Sequence, residues 1–211
     1  MRILREIALQ KRNKNRYNLS DDDGFLTSLS VETVLRHHLK EGMELSEELL
    51  EQMKREDTVK YAKELAVAYI AYTPRTRRQL EQQLAKKGID VQSVAEAVAT
   101  MEKYSYLDDA AYVREFARSY GKRLGAGAIR QKLLERGVER SVIEENLELD
   151  AQSQRAAAEA LAEKLRRKYA ADSAQKRRQK MYAALTRRGF SYDDIRAVVE
   201  RAEGEAEDEL F

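Results

Sequence analysis

The heptapeptide LAKKGID (Leu84 to Asp90) returns as LLERGVE (Leu133 to Glu139) and as LTRRGFS (Leu185 to Ser191). Each copy ends an apolar-periodic run with two charged residues and a glycine. Glycine closes a helix in the left-handed conformation without a Cβ penalty, so the phrase reads as a helix end written three times. Aligned on Gly88, Gly137 and Gly189, the apolar positions coincide. Eight residues earlier stand Leu80, Ile129 and Met181, and four earlier Leu84, Leu133 and Leu185. One residue later come Ile89, Val138 and Phe190, six later Val94, Ile143 and Ile195, and ten later Val98, Leu147 and Val199. Offsets of four are about one helical turn, so these side chains line one face. The agreement identifies three tandem repeats of about 50 residues.

Helical periodicity on both sides of each glycine makes every repeat a three-helix unit. In the first, TVKYAKELAVAYIAYT stops before the single proline, Pro74, and RTRRQLEQQLAKKG restarts with Thr73 or Thr76 available as a cap. VQSVAEAVATMEKY completes that unit. The second runs DDAAYVREFARSYGKR, GAGAIRQKLLERG and RSVIEENLE; the third AQSQRAAAEALAEKLRRKYA, SAQKRRQKMYAALTRRG and YDDIRAVVERA. Units this small share part of their core with neighbours. The expected fold is therefore mainly α: three tandem three-helix repeats in an elongated array, over 51–105, 106–150 and 151–202. An acidic tail follows at 203–211. Aromatic and leucine positions in the first helices (Tyr69 and Tyr72; Tyr112, Phe116 and Tyr120; Leu161, Leu165 and Tyr169) are expected to pack.

Residues 1–50 differ. Ile3, Ile7 and Leu9 alternate with polar residues, Tyr17 and Leu19 mark a short strand, and DDDG (Asp21 to Gly24) reads as a turn into Phe25-x-x-x-Leu29. A short helix then starts from a cap at Ser30 and ends near Gly42. This predicts a small β-rich extension with one short helix, which needs something to pack against.

Most catalytic and metal chemistry is missing. The chain has no Cys, which excludes disulfides and thiolate sites, and its two histidines, His37 and His38, diverge on a helix. Metalloprotease, phosphate-loop, nucleophile-elbow and dinucleotide signatures are all absent, and the Gly125–Gly127 GAG lacks a preceding strand. Counted as a calcium loop from Asp21, the acidic turn puts Phe25 at a ligand position and Leu26 where glycine is required, so it is a turn. Asp108, Asp109, Asp193 and Asp194 stand at helix starts, where carboxylates cap free N–H groups. The expectation is a chain without catalytic residues, cofactor or metal. With no apolar run of membrane length and no apolar leader segment, it is also expected to be cytoplasmic and free of membrane.

What remains is charge. Net charge is only +2, but Arg155 to Arg201 holds 13 Lys and Arg against six Asp and Glu. Cations flank the second helix of every repeat: Arg75, Arg77, Arg78, Lys86 and Lys87; Arg130, Lys132, Arg136 and Arg140; Lys176, Arg177, Arg178, Lys180, Arg187 and Arg188. A basic face repeated at intervals suits a polyanion or a filament, positioning a phosphate backbone without reading sequence. A merely solvated surface is the other reading.

YIAYTPRTRRQLEQQLAKKGI (Tyr69 to Ile89), YLDDAAYVREFARSYGKRLGAGAIRQKLLERGV (Tyr106 to Val138) and LTRRGF together resemble the RecX regulatory family. The resemblance covers about Val59 to Ala202, and the first fifty residues look like the β-rich extension of some Gram-positive members. The first motif falls on Tyr69, Pro74, Arg75, Thr76, Leu80, Leu84, Lys87 and Gly88. The second falls on Tyr106, Leu107, Asp108, Asp109 and Tyr112, with Ala111 where an arginine is common. Gly125, Ile129, Arg130, Leu133, Arg136, Gly137 and Val138 match the next segment. The resemblance implies a non-enzymatic modulator, usually an inhibitor, of the RecA recombinase. Such a protein would be a monomer in the groove of the RecA filament on single-stranded DNA, contacting protomers or DNA. It would alter ATP turnover, strand exchange or filament growth. A general DNA-binding repeat protein and a scaffold for an acidic protein remain the alternatives.

Overall fold

The computed structural model describes residues 1–208, which form five strands and ten helices. They divide into two compact units. The first comprises Met1–Thr73 with Leu80–Leu107, and the second Pro74–Gln79 with the chain from Asp108 onward.

In the first unit, β1 (Arg2–Ile3) pairs antiparallel with β5 (Glu44–Leu45), and β2 (Glu6–Leu9), β3 (Arg16–Asp21) and β4 (Gly24–Ser30) form an antiparallel meander. The DDDG turn joins β3 to β4, with Asp21 opposite Gly24 and the Asp21 carboxylate accepting from the Asp23 N–H. Ser30 caps α1 (Val31–Arg36) by accepting from the Thr33 N–H. The helix expected to reach Gly42 stops at Arg36. His38 adopts a left-handed φ of 51°, and Leu39 N–H donates back to the Val34 carbonyl, which turns Leu39 into the core. A left-handed cap at His38, together with the packing of Leu39, ends this helix.

The meander packs Leu4, Leu19 and Leu29 against Val34, Leu39, Leu45, Leu50 and Met53. Leu50 and Met53 belong to α2 (Glu47–Ile70), whose other half carries Ala62 and Ala66 into the core of the first repeat. One 24-residue helix thus serves both cores, and the boundary expected at residue 50 lies inside it. Asp57 ties the two together: its carboxylate accepts from the Ser30 N–H, the Thr33 hydroxyl and Arg16 Nη2, each at 2.8 Å.

Each repeat buries the positions aligned on its glycine. In the first, α3 (Arg77–Lys86) and α4 (Val91–Lys103) bring Leu80, Leu84, Ile89, Val94 and Val98 onto Ala62 and Ala66. The second is α5 (Asp109–Tyr120), α6 (Ala126–Glu135) and α7 (Arg140–Asn146), centred on Val113, Phe116, Ile129, Leu133 and Ile143. The third is α8 (Ala151–Lys168), α9 (Ala174–Arg187) and α10 (Tyr192–Asp208), centred on Ala162, Met181, Leu185, Ile195 and Val199. Burying one such aliphatic side chain contributes roughly 1.5–3 kcal/mol. Only Leu147 stays half-buried, because α7 ends one residue before it.

Gly88, Gly137 and Gly189 have φ of 79°, 80° and 78°, the left-handed closure their position implied. Thr76 supplies the cap of α3: its hydroxyl accepts from the Gln79 N–H while Gln79 Oε1 accepts from the Thr76 N–H, a reciprocal capping box. Ser191, not Asp193, caps α10 by accepting from the Asp194 N–H. The acidic stretch expected as a tail from 203 continues α10 to Asp208; residues 209–211 lie outside the described residues. Two aromatic positions depart from the expected packing. Tyr72 is 91% exposed beyond the end of α2, and Tyr120 is 41% exposed on the last turn of α5, where it stacks on Phe116 at 4.4 Å.

Within the second unit the glycine ends also receive helix starts. Gly125 and Gly127 at the start of α6 donate N–H groups to the carbonyls of Arg188 and Gly189, at 2.8 and 3.0 Å. Thr76 Oγ1 donates to the Arg136 carbonyl at 2.6 Å, and the stem of Arg78 covers Gly137 so closely that a Cβ there would lie 2.4 Å away. The repeated phrase therefore closes one helix and, in two of three copies, docks the start of another.

Candidate basic interface

Placement near the end of the second helix accounts for the cations before each glycine, whereas Arg75, Arg77, Arg78, Lys176, Arg177 and Arg178 stand near helix starts and Arg140 opens α7. Lys and Arg beside helix C-termini meet unpaired carbonyls and the negative dipole end, so the charges before each glycine are locally favourable whatever else they do. Their surroundings then separate them.

In the first repeat, Arg75 is half-buried, the Arg77 N–H donates to the Asp109 carboxylate at 2.9 Å, and Arg78 lies along Gly137. Lys86 and Lys87 are exposed at the end of α3. In the second repeat, Arg130 faces Glu144 at 3.4 Å. Arg136 donates to the Lys132 carbonyl at 2.9 Å and lays its guanidinium over the Phe116 ring, 4.8 Å from the centroid. Lys132 is half-buried, and Arg140 is exposed at the start of α7.

In the third repeat several cations are paired within the repeat. Arg177 forms a two-pronged contact with Glu203 at 2.8 and 2.6 Å, both side chains mostly buried. Lys180 and Lys176 hold Asp172 at 2.5 and 3.4 Å, and hydrogen bonding from Lys180 above all keeps that carboxyl below its ordinary pKa. Lys180 also stands 4.7 Å from the Tyr169 ring centroid. Arg178 faces Glu200 at 3.8 Å and Tyr182 at 5.9 Å. Arg187 and Arg188 are exposed, and Arg188 Nη1 reaches only the Arg123 carbonyl at 3.3 Å.

Among the described residues no carboxylate meets Lys86, Lys87, Arg140, Arg187 or Arg188, whereas Arg136, Arg177 and Lys180 are engaged in the fold. The cations legible in the sequence thus divide into those that build the repeats and those that meet no carboxylate among the described residues. The docking roles of Thr76, expected only as a cap, and of Gly125 were not legible in the sequence, because their partners lie about 60 residues away. Neither His37, which contacts Glu56 at 2.8 Å, nor any acidic cluster among the described residues forms a group able to hold a metal. No helix among them is long and apolar enough to cross a membrane.

Four family models match the chain in order: the RecX N-terminal domain over 3–46, and the first, second and third RecX three-helix domains over 62–101, 108–147 and 152–199. A regulatory protein RecX of Clostridium botulinum is 31% identical over 207 residues, covering 96% of this chain and 97% of that protein. The chain belongs to the RecX family. Another member, the regulatory protein RecX of Leuconostoc citreum, is 31% identical over 99% of this chain and 80% of its own length. A crystal structure of regulatory protein RecX matches with TM-score 0.72 and 26% identity, covering 95% of this chain and all of that one. RecX from Lactobacillus salivarius matches with TM-score 0.65 and 25% identity over 70% of this chain and 97% of that one. The mainly helical fold, with its three-helix repeats and small N-terminal sheet, is that of the family, whose members are named regulatory proteins.

Proposed function

We propose that this RecX-family chain is a non-catalytic modulator, in the inhibitory sense, of a RecA recombinase, binding in the groove of the RecA filament on single-stranded DNA. The observation that carries the proposal is a charged helix end followed by a glycine of φ near 80°, repeated about 50 residues apart, with exposed cations at the first and third ends and Arg140 just beyond the second. A helical filament also repeats its surface, so several weak polar contacts gain from effective concentration. Lys86, Lys87, Arg140, Arg187 and Arg188 are exposed cations of the repeats that meet no carboxylate within the described residues, and they are the assigned contacts. The chain acts as a monomer in the cytoplasm, and its influence on ATP turnover or filament growth comes from occupancy, with no covalent chemistry of its own.

The test is RecA-catalysed ATP hydrolysis dependent on single-stranded DNA, with this protein titrated from far below to equimolar. Inhibition well below one chain per recombinase is expected, weakening as salt rises. Reversal of Lys86, Lys87 and Arg187 to Glu shifts the curve to higher protein. No effect at equimolar protein and low salt overturns the proposal.

A further inference from the structure

The N-terminal meander is polarised by charge. At one end the β3–β4 turn carries Asp21, Asp22 and Asp23, and cations answer there: Arg2 contacts Asp21 at 2.9 Å and Arg5 contacts Asp22 at 2.7 Å. At the other end the β2–β3 loop carries Lys11, Arg12 and Lys14 and no acid, and every residue from Lys11 to Asn15 is exposed. Several other cations around this meander are paired, Arg16 with Asp57, Arg36 with Glu32, Lys54 with Glu51 and Arg55 with Glu96. No carboxylate among the described residues meets the three loop cations.

The loop is held in shape. Asn13 Oδ1 accepts from the Asn15 N–H, the Arg16 N–H donates to the Asn13 carbonyl, and the Val31 N–H donates to the Asn15 carbonyl. Its base opens onto a groove of about 780 Å³ in the same unit, lined by Asn13, Asn15, Arg16, Leu35 and Tyr61 among others. Tyr61 is 44% exposed there and Leu35 65%, although neither is needed by the meander core. Three acids line the groove and each faces a cation: Asp57 faces Arg16, Glu32 faces Arg36 and Lys60, and Glu64 faces Lys60 at 3.8 Å.

We propose that the β2–β3 loop and this groove form a contact for single-stranded nucleic acid, with Lys11, Arg12 and Lys14 on the phosphates and Tyr61 stacking an unpaired base. Three unanswered cations on a structured loop supply sequence-independent attraction to a phosphate backbone. An exposed tyrosine face beside them fits a base that is not already stacked in a duplex. An acidic protein segment would neutralise the loop but leave Tyr61 without a role. The contact needs no recombinase, so it stands apart from the filament reading.

The experiment measures fluorescence anisotropy of a labelled oligothymidine with the full chain, without recombinase, across a series of salt concentrations. Each single-strand phosphate contact contributes about 0.7 to the slope of log affinity against log salt. The triple variant Lys11→Gln, Arg12→Gln, Lys14→Gln is expected to lower that slope by about 2. Tyr61→Ala is expected to weaken binding roughly tenfold or more at every salt while leaving the slope unchanged. Far-UV circular dichroism establishes that each variant keeps its fold. An unchanged slope in the triple variant, or no binding by the unaltered chain at low salt, overturns the proposal. Equal affinity for a duplex, or no loss in Tyr61→Ala, overturns the stacking assignment.

Discussion

Gly88 and Gly125 isolate two reasons for keeping a glycine, and substituting each by alanine weighs them. Gly88 has φ 79° and no atom within 4 Å of the place an added methyl would occupy, so alanine there meets strain without collision. The left-handed conformation costs a non-glycine residue about 1–2 kcal/mol, partly offset by about 0.4–1 kcal/mol from a less flexible unfolded chain. Gly88→Ala should therefore lose about 1 kcal/mol. Gly125 is the reverse case. Its φ of −75° suits any residue, but its Cβ would lie 2.2 Å from the Gly189 oxygen and 2.4 Å from the Phe190 nitrogen.

Both obstacles at Gly125 are backbone, so no flexible side chain can yield. The start of α6 must move away, which forfeits the hydrogen bonds from Gly125 to Arg188 and from Gly127 to Gly189. Two such bonds at about 1 kcal/mol each, with about 1–3 kcal/mol for overpacking, give a loss of roughly 3–5 kcal/mol. Gly125→Ser separates contact from capping: serine is the better helix cap, yet it collides equally and should also destabilise. Urea unfolding followed by circular dichroism reads the global loss. Amide exchange at Gly127 reads it locally, which matters because several cores need not unfold as one. A loss at Gly125→Ala no greater than at Gly88→Ala would refute the docking argument.

Further outcomes follow from three ion-paired carboxylates, Asp57, Glu163 and Glu203. Burial raises the Asp57 pKa, but hydrogen bonds from the Ser30 N–H and Thr33 hydroxyl and the charge of Arg16 outweigh it, so the carboxyl lies below its ordinary value. Its stabilisation is complete above the unfolded value of about 3.9 and is lost as pH falls through the lower folded one; Asp57→Asn should flatten this acid loss in thermal melts. Asp57→Ala, which strands Arg16 and the Ser30 N–H, should cost about 3 kcal/mol in urea unfolding. Hydrogen bonds from Arg166 and then Arg167 hold the Glu163 carboxyl down to about 2, and a carboxyl-carbon NMR titration of the Arg166→Gln, Arg167→Gln variant should find it returned toward the usual range. Arg177→Ala should lose about 2 kcal/mol of stability and show coupling to Glu203→Ala in a double-mutant cycle, while leaving recombinase inhibition by the folded protein intact.

The repeats were legible because their signals are local. A glycine past a helix end, with leucine-sized residues four and eight before it, specifies both the turn and the buried face within a dozen residues. Features set by distant partners were not legible. Gly42 resembled a helix stop, yet α1 ends at Arg36 because Leu39 is drawn toward Leu4 and Leu45. Ser46 starts α2 early, and Met53 then belongs to the sheet's core while Ala62 belongs to the repeat. The GAG of Gly125 to Gly127 could be read only as the opening of a helix without a preceding strand; its reason is the backbone of Gly189, more than 60 residues on.

The same division governs the basic residues, and it decides which of them can carry recognition. Composition identified the second helices as cationic, but a helix C-terminus favours cations regardless of any partner. Charge sign alone therefore does not distinguish a binding group from a structural one. Arg136 lies on Phe116 and Arg177 grips Glu203, so removing either disturbs a repeat before it touches a partner. Lys86, Lys87 and Arg187, at equivalent helix ends, hold no such contact with a carboxylate in the described residues. Since exposed cations contribute little to folding, reversing these three should change association and its salt dependence far more than stability. That contrast gives the filament reading a signature that general loosening of the fold cannot reproduce.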